Sequence, residues 1–329
     1  MEEKIYAFRI KDKDELLKSS SGGAFTAISD YFLSNQFPVV CSSYNYQNKQ
    51  MEFTIISTRE ERDRCRGSKY FQSKPLTVYK DAILYLQEND KKQLLFVGMG
   101  CQAEGFRKLA ELSRVRERTT IVDIICTGVP SPKFWKEYVS KKGEVEYLTF
   151  KNKRNGWDAP TAFVLVDGVE KSIGDFVKIF YSHNALRPSC YECNFAKINR
   201  NVDITIGDFW HIENSMPDFK SNDGNSLIIC HTDRGHEILE KIKENADLRE
   251  SNTVDCMQNM LNRPTPRPAT RDEFWANYYQ KGISYVLMKY TGMTFMTKVK
   301  QIIHHVLEQI FRGGVPTKSY SSLWRAAIC

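Results

Sequence analysis

The sequence predicts an α/β protein: a mixed, partly parallel sheet core flanked by helices, with a helical C-terminal extension. Between residues 93 and 140, short apolar runs alternate with glycine-containing loops and helical segments, which is typical of parallel strands joined by helices. From 144 to 172 the pattern changes to paired β-strands. The proline-rich stretch NRPTPRPATR then precedes two helical segments. We therefore place a core domain at 1–256 and a helical extension at 257–329.

The N-terminal elements follow from apolar periodicity. KIYAFRI predicts a short opening strand. SSSGGAFTAISDYFL predicts a loop that enters a helix, because Phe25, Ile28, Tyr31 and Phe32 share one helical face. FPVVC and MEFTIIST then predict two strands with a turn between them.

The middle of the chain repeats the order strand, loop, helix. QLLFV and TTIVDII predict buried strands, each followed by a loop (GMGCQ and CTGVPSP) that enters a helix. Ligands of such sheets gather beyond the carboxyl ends of the strands. Cys101 and Cys126 lie in these two loops.

The later elements return to strands and then end in helices. Asp167-Gly168 between apolar stretches predicts a hairpin turn, and DFVKIFYSHNAL predicts a helix that leads into a CxxC loop. VDITIGDFW and SLIICHT predict strands, and RGHEILEKIKE predicts a helix. A final amphipathic helix over 299–310 is expected to serve core or dimer packing, with contact to a membrane surface or a partner as the minority interpretation.

Composition excludes several classes of protein. The chain has 329 residues and a net charge of +7, but its 47 basic and 40 acidic residues form a mixed balance, so we expect no nucleic-acid partner. The N-terminus has no apolar stretch of signal-peptide length, and no window approaches a transmembrane helix. We expect a cytoplasmic protein.

Four of the nine cysteines form the main candidate for chemistry. Cys101 and Cys126 follow successive strands, and Cys190 and Cys193 form the CxxC, so one edge of the sheet can bring all four together. Four thiolates hold tetrahedral zinc or a 4Fe-4S cluster. The spacing also allows a third interpretation, in which Cys101 and Cys126 are packing residues and the CxxC is structural or idle. Cys41, Cys230 and Cys256 read as buried packing residues.

Two further stretches are candidates for cofactor binding. SSSGG before a helix can bind an anion through Gly22 and Gly23, although a serine cap with a flexible turn has the same pattern. RGSKYFQS can line a nucleotide or an isoalloxazine, or be an ordinary exposed loop. The dinucleotide fingerprint GxGxxG is absent, which disfavours a Rossmann nicotinamide site.

Seven motifs together resemble one family. SSSGGAF, GSKYFQS, GMGCQAEG, CTGVPSP, NGWDAP, LRPSCYECNFAK and DITIGDFW occur in the order and rough spacing of the coenzyme F420 hydrogenase/dehydrogenase beta subunits. The resemblance covers about residues 3–245. It implies FAD, a 4Fe-4S cluster and, in archaeal members, the deazaflavin coenzyme F420 as hydride carrier.

The resemblance also implies roles for individual residues. The cluster ligands fall on Cys101, Cys126, Cys190 and Cys193. The flavin contacts fall on Ser21, Gly22, Gly23, Ser68, Lys69, Tyr70, Gln72 and Gln102. Lys69 is assigned the stabilisation of anionic reduced flavin, and Tyr70 stacking on the ring or proton relay.

The chain departs from the family pattern in three places. It starts directly at the core domain, without the ferredoxin-like module of many relatives, so one cluster at most and a separate electron donor are expected. Met99-Gly100 replaces the usual Thr-Pro, and Thr127 replaces the usual histidine. Both replacements leave the cysteines in place but alter the flavin side of the site.

The sequence therefore predicts a flavin and iron–sulfur oxidoreductase. Ferredoxin or a reduced hydride carrier would supply electrons, and short relatives in bacterial surface-polysaccharide gene sets point to a sugar-nucleotide or glycan-linked substrate. A homo-oligomer is compatible with this assignment. The alternatives are a non-redox accessory of a transferase with a four-cysteine structural zinc site, and a flavoprotein that has lost its cluster.

Overall fold

Two sheets organise residues 3–292, the part of the chain that this computed structural model describes. The predicted helix over 299–310 lies outside the described residues. The strands, in chain order, are β1 (Lys4–Ile10), β2 (Val39–Asn45), β3 (Gln50–Ile56), β4 (Leu94–Met99), β5 (Thr119–Ile124), β6 (Tyr147–Asn152), β7 (Thr161–Val166), β8 (Val169–Ser172), β9 (Ile204–Asp208), β10 (Ser226–Cys230) and β11 (Ala246–Ser251).

Helices cover both faces of the larger sheet and one end of the fold. In chain order they are α1 (Lys13–Lys18), α2 (Ala24–Ser34), α3 (Arg59–Cys65), α4 (Val78–Glu88), α5 (Gly100–Leu112), α6 (Pro132–Ser140), α7 (Gly174–Tyr181), α8 (Asp233–Ile242), α9 (Asn259–Asn262), α10 (Arg271–Lys281) and α11 (Ile283–Thr291). No helix within 3–292 is both long and apolar enough to span a bilayer.

The larger sheet is mixed, as predicted. Its order is β11-β1-β10-β9-β5-β4-β2-β3. The neighbours β2–β4, β4–β5 and β5–β9 run parallel, whereas the remaining pairs run antiparallel. The carboxyl ends of β4, β5 and β9 therefore lie side by side at one edge of the sheet.

Alternate residues of the central strands pack on opposite faces. In β4, Leu95 and Val97 join the core under α2 and α8, whereas Leu94 and Phe96 join the core under α4 and α5. The strand is buried on both faces, which explains why its sequence is a continuous apolar run rather than an alternation.

An aromatic core joins the smaller sheet β6-β7-β8 to the helices α6, α7, α10 and α11. Trp135 stacks on Phe71 and meets Phe176 edge to face, and Phe134 lies 5.8 Å from Phe274 between ring centroids. The turn between β7 and β8 uses Asp167 and Gly168 at φ 52° and 70°, so the predicted hairpin is confirmed. The boundary at residue 257 stays a prediction.

Strand β11 was not predicted. Its sequence, ADLRES, has one large apolar residue, Leu248, and pairs through the register Phe8↔Leu248 with β1 at the edge of the sheet. Edge strands expose one side to water, and their sequence pattern is correspondingly weak.

Candidate functional site

A cavity of about 350 Å³ opens at the carboxyl ends of β4, β5 and β9. Its walls come from the serine loop before α2, the loop after α3, the ends of the three strands, and the helix α7. This is the edge where an open α/β sheet binds its ligands.

Most of the residues assigned to flavin binding line this cavity. They are Ser21, Gly23, Ser68, Lys69, Tyr70 and Gln102. Gly22 and Gln72 do not line it. Gly22 instead packs its backbone against the sheet, where an added Cβ would lie 2.3 Å from the Phe8 carbonyl oxygen and 2.5 Å from the Ser226 nitrogen.

Two buried polar atoms on the cavity wall have no partner among the described residues. They are Oγ of Ser20 and Nε of Arg66. The N-terminus of α2, an 11-residue helix, opens beside them at Gly23, whose φ of 87° few other residues adopt. Unpaired buried donors beside a helix N-terminus fit a bound anion such as the diphosphate of a dinucleotide.

Lys69 holds the loop after α3. Its Nζ donates to the backbone carbonyls of Cys65, Arg66 and Gly67, the last two at 2.9 Å. These carbonyls follow the end of the helix and would otherwise lack partners. Burial lowers the pKa of the Lys69 ammonium.

Tyr70 stacks on Phe180 with ring centroids 4.3 Å apart. Its hydroxyl pairs with the Tyr181 hydroxyl at 3.0 Å, and both tyrosines line the cavity. Burial raises the pKa of Tyr70 far above its ordinary value, so this phenol stays protonated and can donate a hydrogen bond into the cavity.

The four predicted cluster cysteines come from three segments at the same edge of the sheet. Cys101 is the second residue of α5 rather than a loop residue as predicted, because the helix begins directly after β4; Cys126 follows β5, and Cys190 and Cys193 lie on the CxxC loop after α7. A bridge between Pro130 and Leu186, with the Arg187 amide donating to the Val129 carbonyl at 2.9 Å, joins the loop of Cys126 to the CxxC loop.

Two glycines allow these loops to approach. Gly128 has a φ of 131°, and an added Cβ would lie 2.9 Å from Cδ1 of Leu186 and 3.1 Å from Cβ of Cys190. At Gly100 an added Cβ would lie 2.9 Å from Cβ of Phe195. The CxxC loop therefore packs directly on the backbone of Gly128, in the loop of Cys126, and of Gly100, at the start of α5.

Each of the four cysteine thiols is within electrostatic range of the other three. Burial, together with the neighbouring thiols, raises the pKa of Cys126 to about 12. Burial also raises the pKa values of Cys101 and Cys190. A bound cation relieves such crowding, because it stabilises all of the thiolates at once.

Backbone amides favour the thiolate form. The Gly128 amide donates to the Cys126 sulfur and the Val129 amide to the Cys190 sulfur, and each bond lowers the pKa of its thiol. Hydrogen bonds from amides to sulfur also tune the reduction potentials of iron–sulfur clusters.

No three Cys, His, Asp or Glu side chains in residues 3–292 lie close enough together to hold a single metal ion. A closed zinc site needs its four sulfurs around one ion, about 2.3 Å from it. A four-iron cluster occupies the centre of a wider sulfur cage. Among the described residues, the four cysteine thiols therefore lie within electrostatic range of one another without forming a site for a single ion.

Sequence reasoning missed a polar group on the cavity wall. Asp208 accepts from Nζ of Lys151 at 2.6 Å and from Nε1 of Trp157 at 2.9 Å, and Trp157 stacks on Trp210 with ring centroids 4.8 Å apart. Lys151, Asp208 and Trp210 line the cavity. The motifs NGWDAP and GDFW contain three of these four residues, so the signal was available.

Residues beyond 256 support the cysteine loops. Thr265 donates from Oγ1 to the Thr127 carbonyl at 2.6 Å. Arg271 donates to the Tyr191 hydroxyl at 3.1 Å and to the Leu186 carbonyl at 3.2 Å. The segment predicted as an extension thus contacts the loops of Cys126 and of the CxxC.

Comparison with known proteins supports the fold and the family of this chain. A chain of the F420-reducing [NiFe] hydrogenase complex from Methanosarcina barkeri, from a xenon-derivatised structure, superposes with a TM-score of 0.52 and 21% identity, covering 74% of this chain and 81% of that one. At this identity the likeness shows the fold alone. Among curated proteins, none matches the sequence.

The family profile for the C terminus of the coenzyme F420 hydrogenase/dehydrogenase beta subunit matches residues 91–255. The match includes β4, β5 and β9 and all four cysteines of the site. The chain therefore belongs to the coenzyme F420 hydrogenase/dehydrogenase beta-subunit family of redox proteins.

Proposed function

We propose that the chain is an oxidoreductase that binds FAD in the cavity and a 4Fe-4S cluster between Cys101, Cys126, Cys190 and Cys193. When bound, the cluster supplies single-electron transfer and the flavin supplies hydride transfer. An external donor, such as ferredoxin or a reduced hydride carrier, provides the electrons.

One observation carries this proposal. Cys126 belongs to the group of four cysteines and also lines the cavity. A cluster held by Cys126 would thus adjoin a cofactor in the cavity, and electron transfer needs such proximity. Neither a structural zinc site nor an isolated flavin pocket requires this shared wall.

The chain's own residues would hold the flavin in three ways. Ser20, Arg66 and the start of α2 would bind its diphosphate, because Oγ of Ser20 and Nε of Arg66 have no other partner within residues 3–292, although Nη2 of Arg66 already pairs with Glu15 and Asp63. Tyr70 would contribute an aromatic face or a hydroxyl donor to the ring. Lys69 would act mainly through the loop that it fixes, with its charge available to anionic reduced flavin.

Lys151 and Asp208, which pair on the cavity wall, would bind a hydroxyl group of the substrate or exchange a proton with it. Lys151 and Asp208 are joined at 2.6 Å, and the Lys151 ammonium lies 4.9 Å from the centroid of the Trp210 ring. Such a pair, beside an indole face, suits a polar ring such as a sugar. A sugar nucleotide or glycan intermediate of surface-polysaccharide synthesis, in the cytoplasm, is therefore the substrate class that we propose.

The family's hydride carrier is the second candidate ligand. The Methanosarcina protein is named for the reduction of F420. Family membership supports F420 as an external carrier for this chain, and the same cavity would have to accept its deazaflavin ring against the flavin.

Anaerobic isolation with quantitative analysis tests the proposal. We expect a brown protein with about four iron and four sulfide per chain and extractable FAD. A colourless protein that contains zinc and no flavin would contradict it. Reduction by ferredoxin, reduced nicotinamide or reduced deazaflavin, followed at the flavin absorption band, then identifies the donor.

A further inference from the structure

Two cysteines outside the group of four meet on the wall of the cavity. Cys41 lies on β2 and Cys65 is the last residue of α3, and both belong to the core between the sheet and α2. The Cys41 thiol donates a hydrogen bond to the Cys65 sulfur. Two thiols in such contact need only a small movement to reach bonding distance.

The surroundings favour a thiolate on one of the two. The hydrogen bond from Cys41 lowers the pKa of Cys65, and the charges of Lys69 and Arg64 lower it further, against the opposing effects of burial and of Glu61. Burial instead raises the pKa of Cys41. The pair is therefore asymmetric, with one sulfur suited to attack and one suited to follow.

The cavities also give unequal access to the two thiols, with Cys65 the more accessible. Both cysteines line the cavity described above, but Cys65 also lines a second cavity, of about 810 Å³, which shares the loop of residues 66–69 with the first. Lys18, Arg64 and Tyr147 are among the residues of this second wall. A small molecule in either cavity can reach Cys65, whereas only the first cavity leads to Cys41.

We infer that Cys41 and Cys65 form a redox-active dithiol that exchanges two electrons with small disulfides. The Cys65 thiolate attacks the disulfide R–S–S–R, which forms a mixed disulfide and releases the first RSH after protonation. Cys41 then loses its proton and attacks the Cys65 sulfur, which releases the second RSH and leaves a Cys41–Cys65 disulfide. In total, two protein thiols are oxidised and one small disulfide is reduced to two thiols.

The contrast with other buried cysteines supports this assignment. Cys230 and Cys256 are buried in packed cores, and neither lines either cavity. Burial raises the pKa of Cys230 to about 12 and that of Cys256 to about 11. These two are buried in cores, as the sequence predicts, and so is Cys41, but Cys41 differs from them in that a second thiol faces it.

Peptide mapping tests the inference on the full chain, isolated anaerobically with whatever iron and flavin it carries. The native protein is exposed to bis(2-hydroxyethyl) disulfide, the remaining thiols are alkylated, and non-reducing digestion is followed by mass spectrometry. We expect a peptide pair joined through Cys41 and Cys65. Because the measurement is a peptide mass, its outcome is independent of whether the chain binds a cluster or FAD.

Single variants separate the two roles. Cys41→Ser should stop at the mixed disulfide on Cys65, and Cys65→Ser should react at least about tenfold more slowly at Cys41. Cys230→Ser, a matched buried control, should form the linkage like the native chain. Each variant is checked for native circular dichroism, and the native chain alone decides the outcome if a variant does not fold.

The inference is overturned if the native chain forms no Cys41–Cys65 linkage, or forms it only after denaturation. It is also overturned if Cys41→Ser and Cys65→Ser react alike. Modification confined to the four cysteines near Cys126, with Cys41 and Cys65 recovered as free thiols, would likewise refute the dithiol.

Discussion

Replacing Gly128 by alanine should disturb the cysteine group more than any comparable change of a turn glycine. At a φ of 131° a side chain is strained by about 1–3 kcal/mol. The new Cβ would also lie 2.9 Å from Leu186 and 3.1 Å from Cys190, which are packed in place, and overpacking costs about 1–3 kcal/mol more. The expected loss of unfolding free energy is therefore about 2–6 kcal/mol.

Gly168→Ala is the matched control. Gly168 also has a positive φ, 70°, but nothing lies within 4 Å of an added Cβ. It is in the turn between β7 and β8, away from the cysteines, so its loss should be about 1 kcal/mol from the backbone alone. The difference in unfolding free energy between the two variants measures the cost of the close contact between Gly128 and the CxxC loop.

Urea denaturation of the metal-free chain, followed by tryptophan fluorescence, measures both losses. Iron reconstitution of the same variants measures the effect on the cysteine group. Displacement of Cys190 should lower iron retention in Gly128→Ala only. Losses that agree within about 0.5 kcal/mol, with equal iron retention, would show that the loop does not pack as described.

Three further outcomes follow from the site. Asp208→Asn leaves the Lys151 ammonium buried without its counter-charge and should destabilise the chain by about 3 kcal/mol in urea denaturation; a change below about 0.5 kcal/mol would contradict the buried pair. Arg66→Gln should weaken FAD binding about tenfold in flavin titration, while Arg154→Gln, an exposed control, should not. Burial lowers the pKa of Lys153 from 10.5 to about 8, so its charged form penalises the folded state fully below pH 8 and not at all above pH 10.5. The stability of the native chain relative to Lys153→Met should therefore rise by at most about 3 kcal/mol from pH 8 to 10.5, and a flat or falling difference would contradict the buried charge.

The fold could be predicted from the sequence where a strand is buried on both faces. β4 is a continuous apolar run and β5 contains a shorter one, so both strands and their direction follow from local pattern. The loop predicted after β4 is instead the start of α5, which begins at Gly100. The same reasoning places Cys101 and Cys126 at one edge, since parallel strands end together. β11 gave no such pattern, because only Ala246 and Leu248 face a core from an edge position.

The cavity was harder to predict from the sequence, because residues that are far apart in the chain form its walls. Nothing local distinguishes Gly22, which packs on β1 and β10, from Gly23, which faces the cavity. The contact between Cys41 and Cys65 joins a strand to a helix 24 positions further along the chain, where no sequence spacing predicts it. Asp208 was missed for another reason: its partners Lys151 and Trp157 come from β6 and from the loop between β6 and β7, and only the tertiary fold brings these to Asp208.

X-ray absorption at the iron and zinc edges, on one anaerobic preparation of the full chain, tests most directly whether Cys101, Cys126, Cys190 and Cys193 hold a cluster. The proposed site predicts iron bound by sulfur with a neighbouring iron shell, lost in Cys126→Ser and retained in Cys230→Ser. Zinc bound by four sulfurs at about 2.3 Å, with no iron in the native chain, would contradict it.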